Sequence, residues 1–184
     1  MTDPEKETNL FSPQLFMTLD DLAGLPAVTL PEGYAVRSFH PGDERHWEEI
    51  VNDSFQKKSD YVQEMEKDGQ YLPERVLFIC HHGRPVATAS AWHREEYGQE
   101  CGYLHMVGIL SAYAGKGLGM QISLAALHAM KQEGCSKAVL HTDDFRIPAL
   151  KIYFKIGFVP NVVHDNQFKR WNDIAEALHI RIQL

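Results

Sequence analysis

The most informative stretch of the chain is residues 107–120, which read VGILSAYAGKGLGM. It begins as an apolar strand end, passes through a short turn, and continues as a predicted helix. Gly115, Gly117 and Gly119 alternate where that helix opens. Glycines let the backbone approach a ligand closely, and the first N–H groups of a helix attract an anion. The stretch therefore predicts a phosphate or pyrophosphate site at residues 114–119, although the glycines could also serve only a tight strand–helix turn.

Two familiar phosphate loops fit this stretch poorly. In a P-loop the lysine is followed by Ser or Thr, whereas here Gly117 follows Lys116. A dinucleotide-binding fold places its glycines, spaced G-x-G-x-x-G, in the first strand–helix turn. Here the spacing differs and the loop follows the fourth predicted strand. An unrelated α/β domain that binds ATP or NAD is therefore only a minor alternative.

The first half of the chain is typical of antiparallel strands joined by turns and helices. Strands are predicted at 34–39, 75–80, 86–92 and 103–109. A four-residue loop at 82–85 makes the middle two a hairpin. Asp43 can cap a helix whose apolar face is made by Trp47, Ile50, Val51 and Phe55. A polar helix is predicted around 61–67.

The second half alternates helices with short strands. Helices are predicted at 117–132, from a cap at Asp143 or Asp144 to Gly157, and after Asp165. Short strands are predicted at 138–140 and from Phe158. An antiparallel start followed by strand–helix units implies a mixed α/β sheet in a single domain.

Two motifs in this pattern resemble the GNAT superfamily of N-acetyltransferases. Its acyl-CoA loop has an apolar residue, a four-residue turn, and then Gln or Arg, two residues, Gly, one residue, and Gly or Ala. The matching residues here are Ile109, and then Ala114, Gly115, Lys116, Gly117, Leu118 and Gly119. Residues 149–158, ALKIYFKIGF, are similar to the family's A-x-x-L/I-Y-x-x-x-G-F helix and strand. With weaker likeness at 30–34 and 41–44, the resemblance covers roughly residues 30–165.

The resemblance implies a GNAT-like fold and acetyl-CoA as acyl donor. The implied donor-binding residues are Val107, Ile109, the loop from Ala114 to Gly119, and Arg146. Two of them depart from the family. Ala114 stands where Gln or Arg is usual, and Arg146 lies near a position where many relatives have Asn. Arg146 could pair with a CoA phosphate or form a surface salt bridge.

The same resemblance implies catalytic roles for a tyrosine, a histidine and the backbone. Tyr153 matches the family's helical tyrosine and would protonate the departing thiolate, unless it only packs the core. Backbone N–H groups near Ile109, where the strand splays from its neighbour, would polarise the thioester. His105 resembles a proton-relaying histidine of arylalkylamine-type relatives and is the candidate base, unless its role is structural. Glu95, Glu96 and Glu100 are rival bases.

Period-two alternation places four residues of the strand predicted at 103–109 on one face. They are Tyr103, His105, Val107 and Ile109. Tyr103 thus shares a face with the candidate base, and the resemblance to arylalkylamine-type relatives implies that it forms a wall of the acceptor pocket.

Composition limits the function classes. Lys+Arg 18 against Asp+Glu 25 gives a net charge of −7, which speaks against a nucleic-acid or anionic-membrane partner. No apolar run reaches the length of a membrane span, and residues 1–9 do not read as a signal peptide. Three scattered cysteines are interpreted as reduced thiols of a cytoplasmic protein. Ten histidines show no metal-binding spacing, so no metal is expected.

The leading hypothesis is an enzyme that acetylates a primary amine of a small metabolite. The alternatives are acetylation of a peptide or protein amine, and a non-catalytic acyl-CoA sensor. Residues 1–31 are interpreted as an N-terminal arm that adds an edge strand or lies over the domain, and 32–184 as the acetyltransferase-like domain. A homodimer is a possible assembly.

Overall fold

The computed structural model describes residues 13–184. Its strands are β1 (Leu15–Leu19), β2 (Tyr34–Ser38), β3 (Val76–His81), β4 (Arg84–His93), β5 (Cys101–Ile109), β6 (Lys137–Thr142) and β7 (Val159–Asn161). Its α-helices are α1 (Glu44–Phe55), α2 (Leu118–Gln132), α3 (Ile147–Ile156) and α4 (Gln167–Leu178). The strands form one sheet in the order β2-β3-β4-β5-β6-β1-β7, in which β5 and β6 are parallel and the other neighbours antiparallel. The expected mixed α/β fold is confirmed.

The two principal helices pack on opposite faces of this sheet, and two glycines of β5 let them come close. A Cβ on Gly102 would lie 2.4 Å from the Sδ of Met130 on α2. A Cβ on Gly108 would lie 3.2 Å from Cγ2 of Ile50 on α1. None of the helices in the described part of the chain is both long and apolar enough to cross a membrane.

Strand β1 corrects the prediction of an edge strand in the N-terminal arm. It is inserted between β6 and β7 and is antiparallel to both. Four of its five residues are buried, as expected for a strand with both faces covered. Farther along the arm, the Thr29 N–H donates to Oε1 of Gln121 at 2.7 Å, so this part lies against α2. The arm boundary at residue 31 stays a prediction, and the signal-peptide question falls on residues outside those described.

Several local predictions were wrong in detail. The β3–β4 turn has two residues, His82 and Gly83, with positive φ of 47° and 86°. Such a two-residue turn is favoured because its backbone twist matches the right-handed twist of the two strands it joins. The helix predicted at 61–67 is a π-helical turn, Val62–Glu66. Asp43 stands at the N-cap position of α1, but its carboxylate instead pairs with Arg37.

The predicted aspartate caps of α3 were also wrong. Arg146 occupies the cap position of that helix. Asp144 pairs instead with Arg170 of α4, with 2.8 Å between Nε and Oδ2. This ion pair fastens α4 beside the loop that precedes α3.

Candidate active site

A split in the sheet opens between the two parallel strands. β5 pairs with β6 only from Cys101 to Tyr103, and the strands then separate. From Leu104 onward, β5 keeps β4 as its neighbour on one side only. The split lies toward the carboxyl ends of the parallel strands, where open α/β sheets bind their ligands.

A β-bulge in β5 determines which side chains face each side of the split. Ser90 of β4 pairs with His105 and Thr88 pairs with Gly108, so β5 carries one extra residue between them. The bulge lies at Met106, which has a φ of 51°. One extra residue reverses the period-two alternation of every residue that follows.

The prediction that four residues share one face of this strand was therefore wrong. Tyr103 and His105 face α1, whereas Ile109 faces α2. Ile109 Cδ1 would lie 3.1 Å from a Cβ on Gly119 of α2. By alternation from Ile109, Val107 faces the same way.

A cavity of about 510 Å³ occupies the split. Its walls come from the last turn of α1, the end of β5, the first turns of α2, and α3 with the loop before it. Of the predicted site residues, Val107, Ile109, Gly119, Arg146 and Tyr153 line it. His105 is not among the residues that line this cavity. The volume is in the range of cavities that bury a small ligand or part of a larger one.

The glycine-rich loop beside this cavity has the form of an anion cradle. Gly115 and Gly117 have φ of 75° and 76°, a region that favours glycine. Within residues 13–184, the N–H groups of residues 115–120 find no acceptor. Ala114 and Lys116 are exposed at the start of the loop. Six consecutive free donors at a helix N-terminus can bind a phosphate without the missing Gln or Arg side chain.

The Tyr153 side chain packs in the core and also lines the cavity. Its side chain is buried, and its ring meets that of Phe158 edge-on with 6.0 Å between centroids. Burial raises the pKa of Tyr153 to about 12, against the opposing effect of the Arg146 charge. The phenol is therefore protonated at neutral pH and can donate a proton.

Arg146 lies at the mouth of the cavity and forms a cation–π contact. Its guanidinium carbon is 3.8 Å from the centroid of the Phe55 ring. Among residues 13–184, no carboxylate forms an ion pair with it. The surface salt bridge considered from the sequence is thus absent there, and the positive charge remains available to an anionic ligand.

Two α1 residues that sequence reasoning missed fasten the strand end. The Ile109 N–H donates to Oγ of Ser54 at 2.7 Å, and that hydroxyl donates to the Ile109 carbonyl at 2.9 Å. Asp53 accepts the N–H of Ser111. No sequence signal could have paired residues this far apart along the chain.

These contacts reduce the number of backbone N–H groups near Ile109 that could serve as the predicted oxyanion donor. The Ile109 N–H already has a partner, and the Leu110 N–H donates to the Val86 carbonyl at 2.9 Å. N–H groups alternate in direction along a strand, so the Val107 N–H points to the same side as that of Ile109, toward the split. Val107, which lines the cavity, therefore remains as the candidate backbone donor.

Replacing Ser54 with alanine should leave both backbone groups of Ile109 without their partner. We expect a loss of about 1–3 kcal/mol in the free energy of unfolding, measured by urea denaturation. Ser136→Ala, at an exposed serine between α2 and β6, serves as the control and should change little. Equal stability of the two variants would contradict this role of Ser54.

His105 lies in an aromatic environment on the α1 side. Its ring stacks on Tyr103 with 5.1 Å between centroids and approaches Trp92 at 5.9 Å. Burial, reinforced by the charge of Arg94, lowers the pKa of His105 to about 4. The imidazole is therefore neutral across the physiological range.

The low pKa of His105 predicts a specific acid sensitivity. Between pH 6.5 and about 4 the unfolded chain binds a proton at this position and the folded chain does not, so stability falls as the pH drops. The contribution is about 2 kcal/mol between pH 7 and pH 5. Urea denaturation of the parent and of His105→Gln at both pH values should show a smaller loss in the variant. An equal loss of stability in the parent and in the variant would mean that a group other than His105 takes up the proton.

The described residues contain no group of three His, Cys, Asp or Glu side chains close enough together to hold a metal ion. All three cysteines are unpaired and buried.

Comparison with known proteins identifies the family. The model of the acetyltransferase (GNAT) family matches residues 41–158, which span the split, the glycine-rich loop and α3. The chain belongs to the GNAT family of acetyltransferases. Both landmarks of the sequence resemblance lie within the matched region.

Relatives of known structure share this GNAT fold. A GCN5-related N-acetyltransferase from Sphaerobacter thermophilus aligns with a TM-score of 0.63 at 23% identity, covering 82% of this chain and 50% of that one. The ribosomal-protein-S18-alanine N-acetyltransferase of Escherichia coli aligns with a TM-score of 0.59 at 15% identity, covering 70% and 79%. At these identities the likeness shows the fold alone.

One group of curated relatives consists of mycothiol acetyltransferases. That of Actinosynnema mirum is 30% identical over 155 residues, covering 79% of this chain and 51% of the relative. The chain spans about half the length of the curated relatives it matches.

Proposed function

We propose that this GNAT domain transfers an acetyl group from acetyl-CoA to a primary amine of a small molecule. The observation that carries the proposal is the split between β5 and β6, which lies at the same end of the sheet as six free N–H groups of the glycine-rich loop. The loop suits a pyrophosphate, and the adjoining cavity suits the narrow arm that links it to a thioester. Mycothiol acetyltransferases among the relatives support a small-molecule acceptor.

The chain's own groups supply the remaining chemistry. When bound, acetyl-CoA brings the acetyl group as a thioester that an amine can attack directly. The Val107 N–H would donate to the thioester oxygen as negative charge develops there. Tyr153, whose phenol is protonated at neutral pH, would protonate the departing sulfur.

His105 is the proposed base, and its position suggests how the acceptor enters. His105 does not line the donor cavity, so the amine would approach through another part of the split. An alkylammonium has a pKa of about 10 and must lose its proton first. With a pKa of about 4 the imidazole is too weak a base to hold that proton, but it can relay the proton through water. The rival carboxylates, Glu95, Glu96 and Glu100, are all exposed.

The α1 side of the split presents rings to such an acceptor. They are Phe16, Tyr97, Tyr103, His105 and His141, joined by centroid distances of 4.9–6.3 Å. Aromatic faces bind apolar rings and cations. This favours an amine whose remaining part is cyclic or apolar.

Calorimetric titration with acetyl-CoA tests the proposal, with ATP and NAD as controls. We expect micromolar binding of acetyl-CoA alone, followed by turnover with members of a panel of small amines. Activity on peptides but not small amines would favour the peptide alternative. Binding without any turnover would indicate a sensor, and absence of binding would contradict the assignment of the split. Light scattering of the same sample tests the proposed homodimer.

A further inference from the structure

Ser123 carries a buried hydroxyl in the cavity wall that has no partner in the described part of the chain. It lies on α2 four residues after Gly119, so the two residues share one helix face. Its side chain is fully buried, yet the residue lines the cavity. No atom of residues 13–184 forms a hydrogen bond with its Oγ.

An unpaired buried hydroxyl lowers the stability of the folded chain. Serine within a helix commonly bonds back to a carbonyl one turn earlier, but the Ser123 hydroxyl does not. Among the described residues, four buried hydroxyls have no partner, those of Ser59, Ser90, Ser123 and Thr142. Of these only Ser123 lines the cavity, where a bound ligand would supply the missing partner.

The surroundings of Ser123 indicate which part of a ligand reaches it. Val107, Ile109, Ala149 and Ile152 form much of the apolar part of the cavity wall. Ser123 lies one helical turn beyond the glycine-rich loop, away from its phosphate-binding N–H groups. A polar group in this apolar passage would meet the ligand between its phosphates and its reacting end.

We propose that Ser123 binds the arm of acyl-CoA by a hydrogen bond between its hydroxyl and an amide of that arm. The inference rests on the proposed function, since it takes acyl-CoA as the occupant of the cavity. The hydroxyl selects for an arm that carries amides, because a purely hydrocarbon arm would leave it unpaired. Ser123 thereby contributes to donor affinity and specificity.

The variant Ser123→Ala tests this assignment, with Ser90→Ala as a matched control. Ser90 on β4 is also fully buried with an unpartnered Oγ, but it does not line the cavity. Without ligand, both variants should unfold in urea at the same concentration as the parent or a higher one. CoA affinity, measured by calorimetry, should fall about 3- to 10-fold in Ser123→Ala and stay unchanged in Ser90→Ala.

Two further ligands locate the bond along the donor. Pantetheine, which has the arm without the nucleotide, should show the same fold-loss with Ser123→Ala. Adenosine 3′,5′-bisphosphate, which lacks the arm, should bind the variant and the parent equally.

Unchanged CoA affinity in Ser123→Ala, or an equal loss for the armless nucleotide, would overturn the role of Ser123 while leaving the proposed function standing. A parent protein that binds no CoA would overturn both.

Discussion

Replacing Tyr153 with phenylalanine is expected to lower kcat by about 100-fold or more while acetyl-CoA affinity stays near that of the parent. A positioned general acid contributes at least this much to a proton-coupled step. The phenol lines the cavity, and its pKa, raised to about 12, keeps the proton in place. Removing the oxygen leaves the buried ring and its contact with Phe158 intact. Steady-state kinetics and calorimetry on the same preparation separate turnover from binding.

Tyr71→Phe is the matched control for this experiment. Its hydroxyl lies 3.2 Å from that of Tyr61, on the α1 side and outside the donor cavity. This variant should keep its kcat even if it loses a little stability. A Tyr153→Phe enzyme with the turnover of the parent would leave the tyrosine with a packing role only.

Introducing a carboxylate at the glycine-rich loop should abolish most donor binding. We expect Gly117→Asp to weaken acetyl-CoA binding about 100-fold, because a negative charge about 5 Å from a phosphate costs about 3 kcal/mol in a partly exposed site. A Cβ at this position meets no atom within 4 Å, so the added side chain has room. Calorimetric titration measures the loss directly, and added salt should reduce it.

Gly117→Asn separates charge from shape in this test. Asn and Asp are similar in size, and both tolerate the positive φ of 76° better than other side chains do. The asparagine variant should therefore keep most of the donor affinity. If the two variants bind acetyl-CoA equally well, no phosphate lies at this loop.

Much of the fold and part of the site could be predicted locally. Gly115 and Gly117 have positive φ angles just before a helix starts, and both features depend on neighbouring residues only. The helix at 147–156 and the position of Tyr153 on it follow from a short motif in the same way. Such features can be predicted from the sequence because each is a property of a few consecutive residues.

The face on which His105 lies could not be predicted in this way. The bulge at Met106 depends on how β5 pairs with β4, and one inserted residue reverses the orientation of every side chain after it. The interior position of β1 likewise depends on strand pairing with β6 and β7, which lie more than a hundred residues away along the chain.

The amino-acid sequence by itself determined the family, the glycine-rich loop and the tyrosine on α3, because each is encoded by residues adjacent in the chain. Only the tertiary structure decided that Ser54 accepts the Ile109 N–H and that Val107 lines the cavity. It also decided that Ser123 lies in the cavity wall without a partner among residues 13–184. The physical reason is that hydrogen-bond partners and cavity walls are set by the packing of distant segments. A local pattern carries no information about which donor will find an acceptor.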